Sequence, residues 1–364
     1  MSAYVNMLEM IWFRGFDRFV LTGIKPFTII GGRNNVGKTT VLESFYYLAN
    51  RSVGIAPGKL LLSRKMSLRR RDLSSLFYQG NDDAEIMLTA SFTDGVTRSL
   101  ALERSDRTVV ELGLEENEDG TGDGGKYSPV YAQQGASTFA DGSKSLSFSM
   151  LYFTKDQYKV RDRELIDDKE HKCKAWDDMW KCHYYQSRVV TNMANLYKRL
   201  FRVNRESILL EVLRLCDQRV VDLAFDGEQL LVGLGQGESR LPLEVMGDGM
   251  VKIADVVTLI ALSNSGDVVC VDEIENGLHY SVMRKFVEVV ARSAKSRGVQ
   301  LIATTHSREF LQQIAPAEDE DARMFSNDEF AYLNLIRWED GTVESVSYDY
   351  DQFSSAVEMG KEIR

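Results

Sequence analysis

The most constraining feature of this chain is residues 27–43, Phe-Thr-Ile-Ile-Gly-Gly-Arg-Asn-Asn-Val-Gly-Lys-Thr-Thr-Val-Leu-Glu. Within it, Gly32-x-x-x-x-Gly37-Lys38-Thr39 has the spacing of a phosphate-binding loop. The flanks agree with the pattern. Residues 27–30 form a short apolar, β-branched run that reads as a buried strand, and Val41, Leu42, Phe45 and Leu48 recur at helical spacing. Strand, glycine loop and helix are what polyphosphate binding requires. Glycines let the backbone curl closely around phosphate oxygens, and successive N–H groups and the positive helix end then face the anion. The expected nucleotide-contacting residues are Gly32, Arg33, Asn34, Asn35, Val36, Gly37, Lys38, Thr39 and Thr40. Lys38 is expected on the β/γ-phosphates and the Thr39 hydroxyl on Mg²⁺.

A chain of 364 residues can bury a large core, and this length suggests about two domains. The net charge of −10 argues against a protein wrapped broadly around nucleic acid. A local basic groove remains open, because Arg64, Lys65, Arg69, Arg70 and Arg71 crowd five cations into eight positions. The first residues carry no apolar signal segment and no run of 18 apolar residues occurs, so the chain reads as soluble, cytoplasmic and without a membrane partner. Four cysteines in this length do not make a disulfide framework.

In chain order, strands are expected at 8–16 and 17–21, then the loop strand. A hairpin comes next at 84–93 and 96–104 around Asp94-Gly95. Residues 115–126 are acidic and glycine-rich and read as a mobile loop. Residues 145–154 read as a strand, and 155–185 give no clear pattern. Residues 189–216 read as two helices broken near Asn204, with strands after them at 220–225 and 229–234. The third part returns to alternating α/β signals, with helices at 250–263 and 280–296, buried strands at 268–271 and 299–305, and a last hairpin around Asp340-Gly341. The expected domains are 1–110, an N-terminal part with the phosphate loop and hairpin, 111–235, a mainly helical insertion, and 236–364, the C-terminal part of the same head.

Two strand ends carry further chemistry. Val268-Val-Cys-Val delivers Asp272 and Glu273 at its C-terminal edge, where ligands bind in open α/β sheets. Asp272 fits the Mg²⁺ position, and Glu273 is the candidate for polarising an attacking water. His306, after the strand at 299–305, is expected to contact the γ-phosphate or that water. Gly247-Asp248-Gly249 precedes a helix and reads as a second anion turn serving another subunit's nucleotide, with Asp248 capping its own helix. Alternatively it is a tight turn. His171, Cys173, Cys182 and His183 are conceivable zinc ligands, but their spacing matches no common zinc pattern.

Taken together and in this order, these elements resemble the ATP-binding-cassette heads of the SMC, RecF and OLD (overcoming lysogenization defect) group. Residues 8–16 resemble their opening strand, 31–43 their phosphate loop, Asp272-Glu-Ile-Glu-Asn-Gly-Leu-His279 the Walker B and D-loop region of OLD-like proteins, and His306 the switch histidine. The resemblance implies an α/β P-loop NTPase with a β-rich N-terminal lobe. It also implies ATP with Mg²⁺ held between the heads of a homodimer or higher homo-oligomer. Gly247 stands where these families carry a signature serine, and Gln79 is the candidate for their Q-loop glutamine. The 58 residues after His306 are too few for the TOPRIM nuclease of OLD proteins. The resemblance therefore points to an ATPase that controls a separate nuclease or toxin effector in bacterial anti-phage defence. The alternative is a DNA-binding clamp acting in repair or DNA-end recognition.

Overall fold

The computed structural model describes residues 3–50, 73–104, 128–153, 158–166, 180–186, 193–235, 240–315 and 323–360. The basic cluster at 64–71, the acidic stretch at 115–126, His171 and Cys173 lie outside the described residues. In chain order the elements are β1 (Val5–Phe13), β2 (Phe16–Thr22), β3 (Phe27–Gly32), α1 (Lys38–Leu48), β4 (Ile86–Phe92), β5 (Thr97–Arg104), β6 (Ser128–Thr138), β7 (Lys144–Phe153), β8 (Tyr158–Ile166) and β9 (Cys182–Tyr185). Next come α2 (Met193–Arg202), α3 (Glu206–Cys216), β10 (Asp222–Phe225), β11 (Leu230–Gly233), β12 (Leu241–Pro242), α4 (Asp248–Leu262), β13 (Val268–Val271), α5 (Tyr280–Arg297), β14 (Gln300–Thr304), α6 (Arg308–Ile314), β15 (Phe330–Arg337), β16 (Val343–Tyr348) and α7 (Tyr350–Glu358).

The chain divides into two units, 1–4 with 22–42 and 181–364, and 5–21 with 43–180. This corrects the expectation of three consecutive blocks. Residues 128–166 supply β6, β7 and β8 to a sheet of the second unit, whereas α2 and α3 belong to the first. Residues 111–235 are thus not one helical insertion. Sheets recruit strands by hydrogen-bond register, and register ignores distance along the sequence.

The second unit is built on a seven-stranded sheet in the order β2-β1-β4-β5-β6-β7-β8. Alternation along β1 and β4 turns Leu8, Met10, Ile86, Leu88 and Ala90 inward. The hairpin at Asp94-Gly95 forms as its turn residues predict, with Phe92 N–H donating to the Val96 carbonyl. A buried ion pair, Arg14 to Glu43 at 2.6 Å, sits in this unit.

The first unit holds a six-stranded sheet in the order β16-β15-β3-β14-β13-β9. From β15 to β9 every neighbouring pair is parallel, and β16 closes one edge as an antiparallel hairpin partner. The core strands β3, β13 and β14 are buried along their whole length, which explains their continuous apolar runs. Helices α2 to α7 pack into the same core. Asn204, at φ 52°, breaks α2 from α3 where the sequence places the break. Several elements were not legible in the sequence, among them β6, β8, β9 and α7. Strand β9 has only four residues, and α7 starts at a capping box in which Asp349 and Gln352 satisfy each other's backbone N–H groups. No helix among the described residues is long and apolar enough to cross a membrane.

Candidate nucleotide site

Strands β3, β14 and β13 lie side by side and parallel, so the loops leaving their C-terminal ends emerge at one edge of the sheet. The phosphate loop leaves β3 through two glycines at which a side chain would displace its neighbours. A Cβ on Gly31 would lie 1.9 Å from the Tyr332 hydroxyl, and one on Gly32, at φ 129°, would lie 2.5 Å from the Leu335 carbonyl oxygen. Arg33, Asn34 and Asn35 are exposed, Asn35 at φ 63°, while Val36 is buried and anchors the loop. Gly37, at φ 113°, turns the chain into α1, which begins at Lys38. The Lys38 ammonium folds back and donates to the carbonyls of Gly32 at 2.7 Å and Arg33 at 3.0 Å. Burial lowers its pKa, against the pull of Asp272, Glu275 and Glu273.

One residue on, the Thr39 hydroxyl donates to the Asp272 carboxylate at 3.1 and 3.3 Å, across 233 positions of sequence. Asp272 is buried, and desolvation raises its pKa although hydroxyls of Thr304 and Thr39 stabilise the anion. Neighbouring oxygens around Mg²⁺ are about 2.9 Å apart, from metal–oxygen bonds of about 2.0–2.1 Å in an octahedron. The Thr39–Asp272 separation is close to that edge, and both donors are hard oxygens, so this pair fits the ion.

Thr304, the last residue of β14, was not singled out in the sequence. Its hydroxyl donates to Asp272 at 2.6 Å and accepts the Glu273 N–H at 2.8 Å. Strand β9 contributes as well, because the Tyr185 carbonyl accepts the Asp272 N–H at 2.9 Å. Glu273 sits at φ 50°, in the left-handed region. For a residue with a Cβ this costs about 1–3 kcal/mol and persists only when surrounding contacts enforce it. The result is that Glu273 and Asp272, adjacent in sequence, leave the strand end in different directions.

Glu275 lies two residues beyond Glu273. Its side chain is buried, and Oε1 accepts the backbone N–H of His306 at 3.0 Å and lies 3.1 Å from His306 Nδ1. A carboxylate oxygen so placed can orient the imidazole. Held at Nδ1, the His306 ring is half-exposed.

The second glycine turn differs from expectation. Gly247, at φ 100°, is itself the N-cap of α4, and no side chain caps that helix. Asp248 is the first helical residue and is exposed. It does not turn back to cap, because the unusual φ of Gly247 already carries the chain into the helix from a conformation only glycine adopts readily. Gly249 packs against its own chain, where an added Cβ would lie 2.5 Å from the Gly277 carbonyl oxygen. One helical turn further, the buried Lys252 ammonium donates to the carbonyls of Glu273 and, at 3.0 Å, Asn276. Burial lowers its pKa to about 8. Gln79 lies in the other unit, exposed and at φ 54°. Of the conceivable zinc ligands within the described residues, Cys182 is buried with its Sγ 3.6 Å from that of Cys270, and His183 lies 3.8 Å from Asp267. This pairing gives zinc no support.

A glycine loop on β3 beside acidic and histidine-bearing strand ends defines a P-loop NTPase, and the protein is an ATPase of SMC-head-like α/β fold. Residues 27–312 match the family described as "AAA domain, putative AbiEii toxin, Type IV TA system", and the chain belongs to that family. It is similar to an ATP/GTP phosphatase of Helicobacter pylori, 24% identical over 326 residues that cover 84% of this chain and 87% of that protein. Among solved structures, an Smc head bound to the C-winged helix domain of ScpA matches with a TM-score of 0.50 and 14% identity, over 95% of this chain and 98% of the other. The SMC head domain from Thermotoga maritima matches with a TM-score of 0.45 and 10% identity, over 95% and 99% of the two chains.

Proposed function

We propose that the protein is a nucleotide-switched ATPase whose heads assemble around ATP and control a separate effector. The observation that carries this reading is the convergence of Thr39, Asp272 and Glu273 on one hydroxyl network through Thr304. Residues 32–40 wrap the triphosphate with backbone N–H groups. Lys38 exchanges its two loop carbonyls for β/γ-phosphate oxygens, which satisfy the cation better than neutral dipoles. Thr39 and Asp272 would hold Mg²⁺, which supplies charge neutralisation at the β- and γ-phosphates. Glu273 orients the attacking water and takes its proton as the γ-phosphoryl group leaves ADP, and His306, held by Glu275, donates to the γ-phosphate.

Gly247, Asp248 and Gly249 of a second copy complete the site through backbone N–H groups. Exposure of Gly247 and Asp248, with open space around the Gly247 Cα, supports this assignment. The family's description supports a part in a toxin–antitoxin-type system, and the OLD-like sequence around Asp272 supports a role in anti-phage defence. The test is Glu273→Gln, which keeps the shape and loses the basic carboxylate. Turnover falls about 10²–10⁴-fold, ATP stays bound, and size analysis in ATP shows a persistent larger assembly. Unchanged turnover in this variant removes Glu273 from the mechanism.

A further inference from the structure

The buried lysine on α4 touches neither the phosphate loop nor the Mg²⁺ pair, yet its contacts are specific. Lys252 is 3% exposed, and a cation taken out of water must be matched by strong acceptors. Its acceptors are two backbone carbonyls of one loop, those of Glu273 and Asn276. Glu273 is the strained residue of that loop, and both of its backbone polar groups are held by side chains. Thr304 takes the N–H, and the carbonyl accepts from Lys252 as well as from the Asn276 N–H of the same turn. Gly249 and Lys252 are three residues apart and so share a helix face. That face touches the same loop twice, at Gly277 and at Glu273. A turn and a loop joined at two points, one a backbone-to-backbone wedge without a Cβ and the other a buried cation, move as one body.

We infer that Lys252 is a positioning residue that links the Gly247–Gly249 turn to the backbone of Glu273, so that nucleotide met by the turn sets the carboxylate for hydrolysis in the same chain. The inference rests on the proposed roles of Glu273 and of the turn. Ligand contact at Gly247 and Asp248 presses on the first turn of α4. The Gly249 wedge and the Lys252 ammonium pass that displacement to the 273–277 loop, where the left-handed backbone of Glu273 has no slack. Methionine in place of Lys252 keeps the stem in its channel and removes every donor. Arginine keeps the donors and the charge.

The experiment compares wild type, Lys252→Met and Lys252→Arg by calorimetric ATP affinity, steady-state kcat and KM, and thermal melting. Lys252→Met is expected to lower kcat by roughly 10- to 100-fold, the scale of a misplaced catalytic group, with ATP affinity within about twofold of wild type. Lys252→Arg is expected to recover a substantial part of kcat. Wild-type kcat in Lys252→Met overturns the inference, and so does a loss of ATP affinity parallel to the loss of kcat. If Lys252→Met does not fold, Gly249→Ala replaces it, since its Cβ pushes on the Gly277 carbonyl at the other joint. Normal kcat in folded Gly249→Ala likewise overturns the link. Lys38→Ala and Glu273→Gln run alongside. Wild-type turnover that depends on neither of them defeats the site assignment, whereas dependence on both but not on Lys252 defeats only this inference.

Discussion

Two glycine turns in this molecule each lead into a helix, and they solve opposite problems. The turn before α1 is finished within its own unit. Gly31 and Gly32 are wedged against β15, Lys38 is tied to the loop's own carbonyls, and Thr39 already touches Asp272. The turn before α4 is finished only on its inner side. Gly249 is wedged against Gly277, while Gly247 faces open space and Asp248 is exposed without a capping bond. A glycine before a helix therefore carries no fixed meaning. Glycine against backbone builds a rigid cradle, and glycine against solvent keeps a surface free for something that arrives later.

The largest expected break in this contrast is Lys38→Ala. It removes the cation from the finished turn and leaves the open turn untouched. Losing one partner of a desolvated charge-assisted contact costs about 2–5 kcal/mol, roughly 30-fold or more in ATP affinity. Calorimetry reads this directly, and unchanged affinity would mean that the loop does not hold the triphosphate.

Gly31→Ala probes the wedge itself. Its Cβ overlaps the Tyr332 ring, and overpacking of this kind costs about 1–3 kcal/mol. The melting temperature should fall, with partial recovery when Tyr332 is also shortened to Leu. Recovery would confirm the overlap, and an unchanged melting temperature in the single variant would show that β15 yields easily.

The helix behind the open turn carries a titrating group. Asp255 on α4 accepts a hydrogen bond from the Tyr197 hydroxyl at 2.5 Å, yet burial raises its pKa from 3.8 to about 6. Because the folded state binds this proton more tightly, the group's contribution to stability is complete below pH 3.8 and is lost as pH rises through 6. Asp255→Asn should therefore flatten the stability-versus-pH curve between about pH 4 and pH 6, a difference on the order of 2 kcal/mol. Urea titrations of both proteins across that range test the sign, and parallel curves would assign the slope to other groups.

The smallest expected effect on stability is that of Asp248→Asn. With no capping bond to lose, only its charge at the helix start is removed, which is worth about 0.3–1 kcal/mol. Assembly in ATP should strengthen, since a negative charge leaves the face proposed to meet phosphate. Sedimentation at graded ATP measures this, and weaker assembly would mean that Asp248 makes a favourable contact there.

Much of the site was legible in the sequence because its signals are local. The glycine spacing, the apolar run ending in Asp272-Glu273 and His306 after a buried strand each arise from a few consecutive residues, and the sheet order brings all three to one edge. Thr304, Glu275 and Lys252 were not legible. A threonine ending a strand, a second glutamate in an acidic run and a lysine on an apolar helix are common, and only their partners distinguish them. The one available hint was Lys252 itself, a cation among Met250, Val251, Ile253 and Ala254 on a helix otherwise reading as buried.

Local sequence was enough to set the α/β class, the position of the phosphate loop, the strand carrying Asp272 and Glu273, and most element boundaries, because periodicity and turn chemistry act over a few residues. Long-range packing alone decided how the chain divides, since β6 to β8 join a sheet begun at Val5 while α2 and α3 join the unit of the phosphate loop. It also decided the left-handed conformation of Glu273. That backbone is costly locally, and besides the turn bond from the Asn276 N–H it is held by Thr304 and Lys252, both distant in sequence.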